Sequence, residues 1–155
     1  MSLISPADQE RLREAFSEMT RPVRLLFFTQ TIGCDTCVQT RQILDELPLL
    51  SDWITIEEVN LVLDGNTASA YGVDRAPGIA ITYQESAPGP ESTNPAAWTD
   101  SRIRFLGAPA GYEFVSLVQG VLLAGGRGTQ LSPHSLQRIA AVDRPVTLHV
   151  FTTPT

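Results

Sequence analysis

Apolar residues fall along this chain in two rhythms, one helical and one extended, and the alternation between them outlines the fold. Leu12, Ala15, Phe16 and Met19 recur at helical spacing behind Ser5, Pro6 and Asp8. That trio supplies an N-cap hydroxyl, a proline at the first helical position and an acid facing the helix dipole. A helix over 6–19 with one buried face is predicted. Residues 23–29 (VRLLFFT) are a continuous apolar run, the pattern of a strand buried on both faces. Gly33 ends the turn that follows, and a second helix is predicted to begin at Cys34, with Val38, Leu44 and Leu47 as its inner stripe up to Pro48. Residues 53–59 (WITIEEV) read as a second strand and 67–71 as a short helix.

Pro77 opens GIAITY, a third strand, and 102–106 (RIRFL) reads as its antiparallel partner. The segment 84–101 between them is Pro-rich and far longer than the usual hairpin loop of about 2 to 5 residues. It reads as an insertion, mobile or specific to a partner, in which Trp98 either pins the loop or touches that partner. After Gly107 comes a helix of about fifteen residues, with Phe114, Leu117, Val118, Val121 and Leu122 on its apolar face and Gly125-Gly126 as its stop. Ser132-Pro133 repeats the first start signal, and Leu136, Ile139 and Ala140 continue a last helix.

The chain also repeats itself. Residues 21–29 are RPVRLLFFT and residues 144–152 are RPVTLHVFT, identical at six of nine positions, and each copy follows an amphipathic helix and enters a Thr-rich turn. Repetition of a whole supersecondary unit is the economical reading. Residues 1–143 are then one unit, and 144–155 the opening strand of a second, truncated unit.

Composition narrows the chemistry. With 155 residues and 43% hydrophobic content, the chain can bury a proper core. Its formal charge of −6, without a basic run, argues against nucleic acid or an anionic membrane as partner. No stretch approaches the roughly 20 apolar residues that span a bilayer, and a cytoplasmic location is expected. All eleven basic residues are Arg, so Schiff-base and lysine general-base chemistry are excluded.

The two cysteines, Cys34 and Cys37, stand as C-x-x-C. A bridge two residues wide staples almost nothing, so the pair is redox-active, an inert pair of thiols or half of a metal site. A structural zinc needs four ligands, and the other candidates, His134 and His149, lie on different elements, so no metal is expected. Placed after a strand and a tight turn at a helix N-terminus, Cys34 gains from the free N–H groups and the dipole. Both lower a thiol pKa from about 8.5 toward the roughly 3.5 to 7.5 of active motifs. Cys34 is then the nucleophile, and Cys37, further in, the resolving thiol. The neighbouring Asp35 carboxylate opposes the thiolate, which predicts a less acidic Cys34 and a more reducing pair than in strongly oxidising proteins.

The element order, helix, βα with C-x-x-C, β, helix, then a Pro-initiated ββα, resembles the thioredoxin-like fold: an α/β unit with a central four-stranded mixed sheet flanked by helices and an extra N-terminal helix. MSLISPADQERLREAF, YGVDRAPGIAI, RFLGAPAGYEF and VTLHVFTTPT narrow the likeness to the two-unit, glutaredoxin-like protein disulfide oxidoreductases of prokaryotes. The resemblance implies a cis Ala76-Pro77 bond and a substrate strand received along residue 76 beside Cys34, with Arg75 close by. It further implies exchange on protein disulfides without a bound cofactor, re-reduced by a thioredoxin reductase-like flavoprotein or a small thiol. Glutathione is disfavoured, because no Lys and few Arg stand near the motif to hold its carboxylates, though Arg75 and Arg41 keep it open. The strand before the motif has Phe28 where thioredoxin carries a buried proton-relay acid, leaving Glu57 or Glu58 as the substitute. Two other readings stand beside this one: an electron relay to a peroxiredoxin, as in the N-terminal domain of flavoprotein alkyl hydroperoxide reductases, and a binding domain with incidental cysteines.

Overall fold

A computed structural model describes residues 3–85 and 97–151. Its elements run α1 (Pro6–Phe16), β1 (Val23–Thr29), α2 (Cys37–Asp45), β2 (Ile54–Asn60), α3 (Gly65–Ala70), β3 (Gly78–Tyr83), β4 (Thr99–Leu106), α4 (Tyr112–Ala124) and α5 (Pro133–Ala140). The strands form one mixed sheet in the order β2-β1-β3-β4. β1 runs parallel to β2 and antiparallel to β3, and β4 is antiparallel to β3. β1, one of the two inner strands, is apolar from Leu25 to Phe28, because both of its faces are covered there.

Its alternating side chains feed two cores. Val23, Leu25 and Phe27 join Phe16 and Met19, Leu44 of α2 and Leu47 just after it, and Leu117, Val121 and Leu122 of α4. On the opposite face Leu26 and Phe28 meet Val59, Ala68, Val73 and Ala80 under the short α3. Each fully buried Leu, Ile or Phe contributes about 1.5 to 3 kcal/mol of transfer free energy, so the larger cluster dominates stability.

Several boundaries differ from expectation. α1 stops at Phe16 rather than running to Met19, because the Ser17 hydroxyl donates to the Glu14 carbonyl at 2.6 Å and its amide is shared between Arg13 and Glu14. Such local bonds compete with helix continuation. Met19 is still buried, now from an irregular stretch. β4 takes residues 99–101 from the expected insertion. A bulge beside Ile81 allows this: Arg102 adopts φ 64°, and the Ser101 hydroxyl donates to the Ile81 carbonyl at 2.6 Å. Trp98 lies with its ring under the Arg24 guanidinium, 4.5 Å away, which pins that end of the loop to the sheet. Residues 86–96 of the insertion lie outside the described residues.

The largest difference is at the far end. The 144–151 stretch expected as a strand has no strand structure and is exposed throughout, with His149 stacked on Phe151. A strand exists by pairing, and no partner lies beside it among the described residues. α5 forms as expected, yet none of its residues is buried.

Candidate redox site

β1 delivers the chain to the site, and Gly33, at φ 77°, turns it back toward α2. Cys34 and Cys37 follow, joined as a disulfide with Cα atoms 5.4 Å apart. Cys34 was expected to open the helix, but α2 begins at Cys37 with Thr36 as its cap residue. Cys34 instead sits in the preceding turn, where its carbonyl accepts from the Cys37 amide at 3.4 Å. Its sulfur nevertheless stays at the helix N-terminus, because it is bonded to the first helical residue. Cys34 is half-buried and Cys37 buried.

Of the expected inner stripe, Leu44 and Leu47 are inside and Val38 is out. Cys37, Thr40, Ile43 and Leu44 face the core, with Leu47 after them, and Val38 is 70% exposed. A helix turns about 100° per residue, so once Cys37 points inward, its neighbour points out. An exposed valine therefore stands next to the buried cysteine.

The Ala76-Pro77 bond is cis. Pro77 immediately precedes β3, whose Gly78 pairs with Phe28 near the C-terminal end of β1, so this loop and the disulfide share one end of the sheet. Cys34 and Ala76 both pack against the larger core. Gly78 is required here by space: a Cβ would come within 2.7 Å of Val73 Cγ1 and 3.0 Å of the Arg75 carbonyl oxygen. Arg75 is exposed and holds Asp74 through Nε, 2.8 Å, and Nη2, 3.1 Å. The hydrogen bond from Arg75, and then its charge, keep the Asp74 carboxyl below its ordinary pKa.

Glu57 and Glu58 are both exposed. Glu57 pairs with Arg24 at 2.6 Å, and Glu58 pairs with Arg41, which also holds Asp45. Their alternation along β2 sends them to opposite faces, and only the Arg41 network lies on the redox helix. Neither is a buried carboxylate. Among the described residues the buried polar side chains are Thr40, Thr82 and Gln84, so nothing acidic is buried beneath the disulfide. Sequence reasoning passed over Thr40; its signal was the three-residue spacing from Cys37. His134 and His149 sit far along the exposed C-terminal stretch, and no cluster of three or more His, Cys, Asp or Glu that could hold a metal occurs among the described residues. No helix among them is long and apolar enough to cross a membrane.

No protein-family model matches the chain. A curated relative, the alkyl hydroperoxide reductase AhpF of Escherichia coli, is 27% identical over 133 residues, which is 86% of this chain and 21% of the relative. The chain therefore spans about a fifth of that protein's length. Among solved structures, the NTD_N/C domain of alkylhydroperoxide reductase AhpF from Enterococcus faecalis aligns with a TM-score of 0.75 at 23% identity, over 91% of this chain and 62% of that one. A protein disulfide oxidoreductase from Aeropyrum pernix aligns at 0.67 and 21% identity, over 88% of this chain and 54% of that one.

Proposed function

We propose that this chain, whose fold is the thioredoxin-like one, is a thiol-disulfide oxidoreductase acting on protein disulfides. The observation that carries the reading is the asymmetric pair at the start of α2: a half-buried Cys34 bonded to a buried Cys37, at the same sheet end as a cis Ala76-Pro77 loop. In the reducing direction, the Cys34 thiolate attacks a substrate disulfide, forming a mixed disulfide and releasing one substrate sulfur as thiolate. Cys37 then attacks the Cys34 sulfur, the Cys34–Cys37 bond forms, and the second substrate sulfur leaves. Two electrons have passed to the substrate, and a thioredoxin reductase-like flavoprotein or a small thiol restores the dithiol. The loop at Ala76 and Pro77, flanked by Arg75, receives the substrate backbone as an added strand. The exposed, ion-paired positions of Glu57 and Glu58 favour neither as a buried proton relay.

A Cys37→Ser variant tests the reading directly. It is expected to accumulate mixed disulfides with protein substrates through Cys34, while the intact pair reduces insulin in the presence of a dithiol. No trapped adduct together with no insulin reduction would leave the chain a binding domain.

The likeness to the alkyl hydroperoxide reductase AhpF favours a second reading, in which the same pair relays electrons to a peroxiredoxin. Rapid reduction of a peroxiredoxin with poor turnover of insulin would select it. The repeat supports one further assignment: residues 1–143 as the redox unit, and 144–155 as the opening strand of a second unit of the same kind. α5 supports it too. Its cap Ser132 has φ and ψ of −63° and 152° and accepts from the Ser135 amide; for Ser5 of α1 the angles are −62° and 151°, and the donor is Asp8.

A further inference from the structure

A polar atom on the redox helix is buried without a partner. Thr40 lies one turn beyond Cys37 on the same inward face, is wholly inaccessible, and its hydroxyl makes no hydrogen bond. A helical threonine commonly returns its hydroxyl to a carbonyl three or four residues back. Here the Thr40 amide takes the Thr36 carbonyl at 2.9 Å, and the hydroxyl takes neither. Native proteins keep few such groups, because an unpaired buried hydroxyl is costly. Nothing among the described residues pairs with it while the disulfide is formed, and the state that differs at this place is the reduced one. In the disulfide the Cys37 sulfur is committed to Cys34; once reduced, it becomes a thiol or thiolate, and an ionised acceptor makes strong hydrogen bonds. Side chains three apart on a helix have Cβ atoms about 5 to 6 Å apart, and the later one leans toward the earlier, so a rotation at Cys37 brings sulfur and hydroxyl together.

We propose that the Thr40 hydroxyl is the hydrogen-bond donor that stabilises the Cys37 thiolate as it resolves the mixed disulfide, an assignment that rests on the exchange function proposed above. Charged groups around the helix start are Asp35 in the turn, Arg41 with Asp45 and Glu58, the Asp74–Arg75 pair, and Asp8 with Arg11 on α1. None of them is buried, and α4 presents Phe114 and Val118 to the groove between the helices. The Cys37 proton goes to water, and the hydroxyl keeps its own. The thiolate then attacks the Cys34 sulfur, and the departing substrate thiolate takes up a proton.

Thr40→Val, which keeps the shape and removes the donor, tests this beside Thr40→Ser, which restores it. In a Cys34→Ala background, the ultraviolet absorbance of the Cys37 thiolate is titrated. Thr40→Val is expected to raise the midpoint by about one unit, a tenfold loss of thiolate stability. With both cysteines present, release of a chromogenic aryl thiol from Cys34 should slow about three- to fourfold at neutral pH, the tenfold loss of thiolate being offset in part by the greater nucleophilicity of a more basic one, and Thr40→Ser should recover both. Melting separates this from a packing role: Thr40→Val leaves the oxidised chain as stable as before or more so, and lowers only the reduced one. An unshifted titration midpoint, a Thr40→Ser variant behaving like Thr40→Val, or equal losses in both redox states would overturn the assignment. If the midpoint shifts but Cys37→Ser traps no substrate and the wild type reduces no insulin, the exchange reading fails and only the Thr40–Cys37 hydrogen bond stands.

Discussion

Residues 5–29 and 132–151 are written in the same local grammar and end in opposite environments. Val23, Leu25 and Phe28 are fully buried, whereas their counterparts Val146, Leu148 and Phe151 are 63%, 85% and 91% exposed. Arg21 donates to the Ala124 carbonyl at 2.8 Å, pairs with Glu85 and covers the Tyr83 ring; among the described residues Arg144 reaches only its neighbour Asp143, at 3.6 Å. The helix caps are alike in both copies, because capping is settled within four residues. The strands differ, because a strand needs neighbours that its own residues cannot supply. Local sequence makes helix ends, and tertiary pairing makes strands.

The largest expected contrast lies in amide exchange. Amides of β1 should exchange only through global opening, roughly a thousandfold or more slower than those of 144–151. If a second sheet is supplied, by a longer chain or another copy, the 144–151 amides should gain protection; if they gain none under either condition, the repeat has no structural meaning. Truncation at matched positions comes next. Leu25→Ala should cost about 2 to 5 kcal/mol in denaturant unfolding, and Leu148→Ala less than about 0.5 kcal/mol. Equal effects would mean that the exposed stretch packs in solution. Arg21→Ala should cost about 2 kcal/mol through its charged hydrogen bond and its ring contact, with Arg144→Ala neutral. Ser5→Ala should then cost about 1 kcal/mol, whereas Ser132→Ala should fray α5 and leave the unfolding midpoint unmoved.

The smallest effect belongs to the opposite edge of the sheet. Asp100 is held below its ordinary pKa chiefly by the hydrogen bond from Arg104. A depressed folded-state pKa adds stability above the unfolded value, near 3.8, and that increment is lost as the pH falls through the folded one. For so accessible a pair the increment is under about 1 kcal/mol. Acid unfolding of Asp100→Asn should lack it.

Most of the architecture was legible wherever a single period governs a segment. VRLLFFT gave β1 to the residue, and the Ser-Pro signals placed the starts of α1 and α5. The sequence misled where competition between nearby bonds decides. Ser17 ended α1 early through its own hydroxyl, and Ser101 extended β4 by standing in for a backbone donor at the bulge. At the site, the cysteines and the cis proline were readable as motifs. Val38 is misplaced because its six-residue spacing from Leu44 puts it about 120° off that residue's face, while Leu44 and Leu47 are buried as expected. The inward position of Thr40 is legible in its three-residue spacing from Cys37, but its unpaired hydroxyl is a property of its surroundings.

Gly78 shows how little separates a working arrangement here from a displaced one. A Cβ added at Gly78 would come within 2.7 Å of Val73 Cγ1 and 3.0 Å of the Arg75 carbonyl oxygen, so the loop ahead of β3 sits where one extra methyl would stand. Its placement is a clearance, set by an atom the chain leaves out. A Gly78→Ala chain keeps every cysteine, the proline and each charged neighbour, yet the loop must move by several tenths of an ångström, so any loss of exchange in it would measure alignment alone.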